Sequence, residues 1–202
     1  MNRTNLATSD NKLCQFIGLR LYGDMVFAGP PSSLDTEFMK LAIGQAKKAL
    51  DLDEVPVGAV VIQERNPETN EVLSKPLVIA LGYNTRESRQ NPLGHAEIMA
   101  IQGASEKLGR WRLSGCALYV TLEPCVMCSG AAVLARVDRV IYGATDKKAG
   151  AVESLYQVLS DLRLNHRPQV TKGVLEAECS QMLSGFFSEK RRSKNSPAKS
   201  SG

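Results

Sequence analysis

Two short stretches, His95-Ala96-Glu97 and Pro124-Cys125-Val126-Met127-Cys128, hold the residue types needed for metal-assisted chemistry. They offer one imidazole, two thiols and one free carboxylate. Cys125 and Cys128 are three apart, so on a helix they share a face. One His and two Cys give zinc three protein ligands and leave a fourth position for water, whereas structural zinc sites are usually closed by four protein ligands. Zinc held by two thiolates and a neutral imidazole carries no net charge, and its water can fall to a pKa of roughly 7. Glu97 is then a spare acid/base able to take that proton. Pro124 suits the first position of a helix, where its missing N–H costs nothing. Cys125 would follow in the first turn, where the positive helix end favours thiolate. His95 precedes an apolar-periodic run and so also stands at a helix start. His95 and Glu97 are two apart and lie on nearly opposite faces of a regular helix. Both reach one metal only if that helix is just beginning and faces the cysteine helix. A lone Cys-x-x-Cys can also be a redox pair or half of a closed zinc site. The other cysteines, Cys14, Cys116 and Cys179, supply no second pair, and a redox motif leaves His95 and Glu97 unexplained.

The elements that must position these residues follow from periodicity. Residues 1–34 show no clear period and end in the turn-rich Gly29-Pro30-Pro31-Ser32-Ser33, so they read as an extension. Asp35 or Thr36 can cap a first helix, in which Phe38, Leu41, Ala42, Gln45, Ala46 and Ala49 keep helical spacing. Val57–Ile62 and Leu77–Tyr83 read as two strands of a hairpin whose enlarged tip is the polar Gln63–Pro76. Ala96–Leu108 is the next helix, with Ile98, Met99, Ile101 and Leu108 as core. Ala117–Thr121 is a strand, Cys125–Ala135 a helix and Arg139–Tyr142 a strand, an order that implies parallel pairing with a right-handed crossover. Pro168 cannot donate to a ladder, so a fifth strand begins near Gln169 and runs to Val174. Leu175–Glu189 closes the chain as a helix. These elements predict a three-layer α/β/α domain over residues 35–189 with a five-stranded mixed sheet.

Composition bounds the rest. Hydrophobic residues are 43% and charged residues 23% of the 202, values of a soluble globular chain. No apolar run is long enough to span a membrane. Five unevenly spaced cysteines argue against a secreted disulfide framework and for a reducing compartment, the cytoplasm. Residues 1–34 lack the long apolar core of a secretory signal; an organellar address stays open. The net charge is +4. Lys190, Arg191, Arg192, Lys194 and Lys199 carry that excess with no acid among them, so residues 190–202 read as a disordered basic tail. Such a tail is either a nucleic-acid arm or a solubilising appendage.

The stretches Glu54-Val55-Pro56-Val57-Gly58-Ala59-Val60, Gly94-His95-Ala96-Glu97-Ile98-Met99-Ala100 and Thr121-Leu122-Glu123-Pro124-Cys125-Val126-Met127-Cys128 are specific. With Gly143-Ala144, Asp146, Asn165-His166-Arg167 and Phe186-Phe187, they resemble the bacterial tRNA-specific adenosine deaminases over roughly Thr36 to Arg192. The H-x-E…P-C-x-x-C pattern alone implies only the cytidine deaminase-like superfamily of zinc nucleobase deaminases. The resemblance implies one zinc per subunit, a homodimer, and hydrolysis of adenosine to inosine at the wobble position of an anticodon stem-loop, that of an arginine tRNA. It implies that His95, Cys125 and Cys128 hold the metal, that Glu97 is catalytic, and that Asn84 and the backbone at Ala96 contact the flipped base. Asp146 would meet the sugar, Asn165 the neighbouring backbone, and Phe187 the anticodon nucleotides. Taken without the resemblance, Asn84 is a turn former and Asp146 a capping acid. The departures from the family pattern are the long hairpin tip, the N-terminal extension and Thr145. Two other functions share features with this chain: a zinc deaminase of free nucleosides, nucleotides or guanine, and a zinc-stabilised RNA-binding protein without catalysis. The intact Glu97 argues against the latter.

Overall fold

The computed structural model describes residues 20–22, 25–27 and 30–195. The chain order is β1 (Arg20–Tyr22), β2 (Met25–Phe27), α1 (Ser33–Asp51), β3 (Gly58–Arg65), β4 (Val72–Tyr83), α2 (Ala96–Leu108), β5 (Cys116–Leu122), α3 (Val126–Ala135), β6 (Arg139–Ala144), a 3₁₀ turn (Val158–Ser160), β7 (Gln169–Thr171) and α4 (Glu176–Asn195). Side chains alternate along the strands and both faces are covered. Ala59, Val61, Leu118, Val120, Val140 and Tyr142 meet Ala96, Ala100 and Ala104 of α2 and Ala132 and Val133 of α3. Val60, Ile62, Tyr119 and Ile141 point the other way, onto Phe38, Met39, Ala42 and Ile43 of α1 and Cys179 of α4. The period-2 alternation of the pleat thus builds three layers, α1 and α4, the sheet, and α2 and α3.

The sheet order is β1-β2-β7-β6-β5-β3-β4. It contains the five expected strands, with β3 antiparallel to β4 and β5 and with β5, β6 and β7 mutually parallel. Two short strands from the N-terminal segment lengthen it: β1 pairs antiparallel with β2, and Phe27 of β2 pairs with Val170 of β7. Three-residue strands are too short to show a period, so in the sequence they are indistinguishable from an extension. The strands β4 and β5 end at the same edge of the sheet, where α2 and α3 begin. Gly82, near the end of β4, lets the strand approach that helix closely, because a Cβ there would strike the Ala96 carbonyl.

Several boundaries differ from the sequence reading, each for a local reason. Ser32, not Asp35 or Thr36, is the N-cap of α1, and Asp35 closes a capping box by accepting from the Ser32 backbone at 2.8 Å. The hairpin tip shrinks to Asn66–Glu71, where Asn66 Oδ1 accepts from the Glu68 and Thr69 amides. The ladder continues to Arg65 opposite Val72 through two register shifts, and β4 is an edge strand that tolerates Pro76. The fifth strand stops at Thr171 because Gly173 turns with φ +75°. Ile98, Met99, Ile101 and Leu108 are only half-buried, since the alanines of α2 take the sheet-facing stripe. The helix α4 runs to Asn195, carrying Lys190, Arg191, Arg192 and Lys194 into regular structure, not a disordered tail; Lys199 and residues 196–202 lie outside the described residues, as do residues 1–19. Among the described residues, no helix is long and apolar enough to cross a membrane.

Far from the starts of α2 and α3, one polar network ties α1 to the sheet. Arg139 donates to Asp35 at 2.9 Å and to both Glu64 oxygens at 2.9 and 3.0 Å, and the buried Tyr119 hydroxyl sits between the two carboxylates. Burial pushes the Asp35 carboxyl up, but Ser32 and Arg139 outweigh it and hold the group below its ordinary value. Arg139→Ala should therefore cost about 3–5 kcal/mol, because removing one partner leaves uncompensated charge in a mostly dry site. Urea unfolding checks this; a loss under about 1 kcal/mol would show the network to be solvated.

Candidate active site

The starts of α2 and α3 face each other. His95 is the N-cap of α2 and Cys125 the N-cap of α3, both with extended backbone and neither making a side-chain cap hydrogen bond. Pro124 therefore precedes the N-cap and is not the first helical residue as expected. Its carbonyl accepts from Ala151 N at 2.8 Å. Cys128 comes one turn into α3. His95 Nδ1 lies 3.7 Å from Cys125 Sγ and 3.6 Å from Cys128 Sγ, and the three donor atoms fall within 4.8 Å of one another. A tetrahedral zinc with ordinary Zn–N and Zn–S bonds sets N···S at about 3.6 Å. The two N···S edges match that ion, and the donor set suits it chemically.

The electrostatics agree with a cation-binding set. Hydrogen bonding from the Cys128 thiol, and then from His95, holds the Cys125 thiol down at about 4 against the opposing effect of burial. The same contact and burial push Cys128 upward. The hydrogen bond with Cys125 raises His95. The three donors thus share protons within one small space, and the same donors could instead hold a metal ion. Glu97, in the first turn of α2, is 4% exposed. Burial pushes its carboxyl up to about 7, near the point where it can both take and give a proton at neutral pH.

Two loops complete the edge. Asn84 follows β4 and is buried; its amide Nδ2 donates to Glu54 Oε2 at 3.2 Å and to the Val55 carbonyl at 3.3 Å. The Thr85 amide donates to the Gly94 carbonyl at 2.8 Å, which seats this loop beside His95. Ala96, fully buried, lies between His95 and Glu97 at the helix start. Asp146 begins the second loop, with Oδ1 accepting from Lys148 N at 2.9 Å and Ala149 N at 3.2 Å, the capping role its sequence position suggested. The structure therefore brings His95, Cys125, Cys128 and Glu97 together, with Asn84, Ala96 and Asp146 in the segments around them.

Phe187 and Asn165 stand apart from the cluster. Phe187 is 45% exposed and meets Phe186 edge-on at 5.4 Å between centroids. Three residues on, Lys190 pairs with Asp53, the neighbour of Glu54, so this part of α4 reaches the turn that supports Asn84. Asn165 Oδ1 accepts from Arg136 at 2.7 Å. Arg136 is the C-cap of α3, whereas Cys125 is its N-cap. Ten helical residues separate them, about 15 Å.

Sequence reasoning passed over two supporting carboxylates. Glu54 is fully buried, and Glu123 nearly so. Glu123 Oε1 accepts from the Val152, Glu153 and Ser154 amides at 2.9–3.1 Å, and Oε2 from the Asp146 amide at 3.0 Å and Ser154 Oγ at 2.5 Å. A Cβ at Gly150 would strike that carboxylate. The available signal was a charged residue at the exit of an apolar strand, Leu122-Glu123-Pro124, where an unpaired charge is almost never buried.

Comparison with known proteins decides the family. A family model for MafB19-like deaminases matches residues 34–191. The tRNA-specific adenosine deaminase of Bacillus subtilis strain 168 is 47% identical over 165 residues, which are 82% of this chain and 96% of that protein. The chain belongs to the tRNA-specific adenosine deaminase family. A solved structure from work on A-to-I editing by tRNA:A34 deaminases at the wobble position of transfer RNA is 43% identical. It aligns with a TM-score of 0.65 over 73% of this chain and 99% of that one. A guanine deaminase from Nitrosomonas europaea shares the fold alone, with 22% identity and a TM-score of 0.58 over 84% of this chain and 88% of that one.

The Glu123 cluster generates a pH prediction. Burial pushes the Glu123 carboxyl up, but the backbone and Ser154 hydrogen bonds outweigh it, so its folded value lies below the ordinary 4.5. A depressed carboxylate contributes stability that is present above its unfolded value and is lost as pH falls through the folded one. Glu123→Gln should lower stability at pH 7 and flatten its decline below about pH 4.5. Chemical unfolding across pH 3–7 checks both signs; an unchanged acid limb would remove Glu123 from the account.

Proposed function

We propose that this chain deaminates adenosine to inosine at the wobble position of a tRNA anticodon, most specifically that of an arginine tRNA, in the cytoplasm. The observation that carries the reading is the His95–Cys125–Cys128 triangle beside the buried Glu97, in a chain so similar to tRNA-specific adenosine deaminases. His95, Cys125 and Cys128 would hold one zinc per subunit, which supplies an acidified water for attack on carbon 6 of adenine. Glu97 would take one water proton and carry it to the ring nitrogen beside carbon 6. It would then take the remaining proton of the hydroxyl added at carbon 6 and pass it to the amino group, which leaves as ammonia while the carbonyl forms. Asn84 and the Ala96 backbone would hold the base, and Asp146 the sugar. The exposed ring of Phe187 would stack on a neighbouring nucleotide. Asn165 would be met only by a substrate reaching the length of α3, which a nucleic acid does and a free base does not. A wobble base sits in a loop and is cheap to extrude.

We read the assembly as a homodimer. Ile98, Met99 and Ile101 are half-buried, and Val126 and Leu134 of α3 are 49% and 73% exposed, an apolar surface suited to a second copy.

Turnover of an anticodon stem-loop against free adenosine, cytidine and guanine tests the substrate class; preference for guanine would overturn it. Cys125→Ala and Cys128→Ala should lose zinc, and full retention by both would remove the ligand assignment. Glu97→Ala should keep zinc and fold while losing roughly 10²–10⁴-fold in rate; activity within a few-fold of the parent would sink its role. Replacing Arg191, Arg192 and Lys194 by Gln should weaken stem-loop binding and lower its salt slope by about 0.7–0.9 for each phosphate contact removed. An unchanged slope would make the end of α4 a bystander.

A further inference from the structure

We infer that Glu54 is a positioning residue that sets which atom of Asn84 faces the substrate; this rests on the reading of Asn84 as a base contact. An asparagine amide can present either its N–H₂ or its oxygen to a pocket, and the two rotamers have nearly the same shape. Here the surroundings choose. Nδ2 faces Glu54 Oε2 at 3.2 Å and the Val55 carbonyl at 3.3 Å, both of them acceptors. Turning the amide over would set its oxygen against two acceptors in a buried site, where an unmatched polar contact is costly.

Both donors of Asn84 are thereby engaged. Its Oδ1 receives no hydrogen bond from the described residues. Thr85 Oγ1 is the sealed side-chain polar atom without a partner among the described residues, so Oδ1 is reached from solvent. The residue is only 7% exposed, so little besides that atom is open. Asn84 consequently offers an acceptor, and the substrate group opposite it is an N–H or O–H donor.

Glu54 does this while anchored itself. Its second oxygen, Oε1, accepts from Ser88 N at 2.7 Å. One carboxylate therefore fixes both the amide rotamer and the far side of the loop that carries it. Only a group with two acceptor oxygens can do so. A glutamine of the same shape places an N–H₂ against either the Ser88 N–H or the Asn84 N–H₂.

The test is a double-mutant cycle that exchanges the donor and acceptor roles. Glu54→Gln alone should lower kcat/KM for the anticodon stem-loop by about tenfold or more. Asn84→Asp alone should do likewise, because two carboxylates then meet in a buried site. In the combined E54Q/N84D protein, the amide introduced at position 54 can donate to one oxygen of the carboxylate introduced at position 84. The other oxygen of that carboxylate again faces the substrate as an acceptor. At least part of the loss should be recovered, with the recovery in KM as well as kcat and with zinc content constant across the four proteins. Losses that simply multiply, with no recovery in the double variant, would overturn the inference. A structural role alone would move the unfolding midpoints without this reciprocal rescue. A second measurement is independent of turnover. In the parent protein both Asn84 side-chain amide protons should exchange slowly with solvent by NMR, and Glu54→Gln should release them. Fast exchange in the parent would overturn the inference even if stem-loop turnover is found; failure of the parent to act on the stem-loop, with slow exchange intact, would strike the substrate reading instead.

Discussion

Two helices begin at one point, and the rest of the structure depends on that convergence. The starts of α2 and α3 each present unsatisfied backbone N–H groups and the positive end of a helix dipole. At α1 the same problem is met by the Ser32–Asp35 capping box. At α2 and α3 the cap positions are held by His95 and Cys125, which make no cap hydrogen bond. The positions that would stabilise the helix starts carry residues that could hold a metal ion instead. At the start of α3 Cys125 is held toward the thiolate, so the missing cap and the reactive sulfur arise from one geometry.

Such an arrangement is held from behind by buried carboxylates. Glu123 gathers four amides and a hydroxyl from residues 146–154, fixing that loop against the strand end that leads to Cys125. Glu54 does the equivalent on the other side, holding Asn84 and Ser88. Neither carboxylate has a cation as its principal partner. Both are satisfied by fixed N–H dipoles, which converge without needing a long side chain to be ordered. Rigid support of this kind keeps reacting groups placed to a fraction of an ångström without lengthening the strands.

How much of this was legible in the sequence depends on the kind of interaction. The cluster was legible because it rests on residue type at short spacing: His95, Glu97, Cys125 and Cys128 come together as their positions imply. The strands β3, β5 and β6 were legible because burial on both faces writes continuous apolar runs. The ends of β3 and β4 were not, because Glu64 and Lys75 look like loop residues until Arg139 and the edge of the sheet give them places. The core of α2 was misplaced for a similar reason. Alanines carry little weight in a periodicity reading, yet Ala96, Ala100 and Ala104 pack on the sheet while the bulkier Ile98 and Met99 are left half-buried. Contacts made by small residues at close approach, and charges satisfied by distant backbone, are properties of the folded chain and leave little local pattern.

The placement of Glu97 sets its burial beside a group of residues that could hold a metal ion. In water a glutamate is a poor base toward an adenine ring and a poor donor to ammonia, because it is ionised throughout the neutral range. Burial, the largest effect, outweighs the hydrogen bonds and the nearby His95 and raises it to about 7, but would leave a lone charge in a dry pocket whenever it ionised. Were His95, Cys125 and Cys128 to hold a dication, the two thiolates would leave the centre neutral overall, and it would act on Glu97 by supplying the proton of an acidified water at close range. The two effects together would leave a carboxylate that gains and loses a proton at little cost within one catalytic cycle. That balance requires Glu97 in the first turn of α2, one residue beyond the backbone of Ala96, where the helix has just begun and its side chain can still turn toward the cysteines. Moving it one turn along α2 would bury it among Ala100 and Ala104, against the sheet, with the desolvation retained and the neighbouring His95 and Cys128 lost.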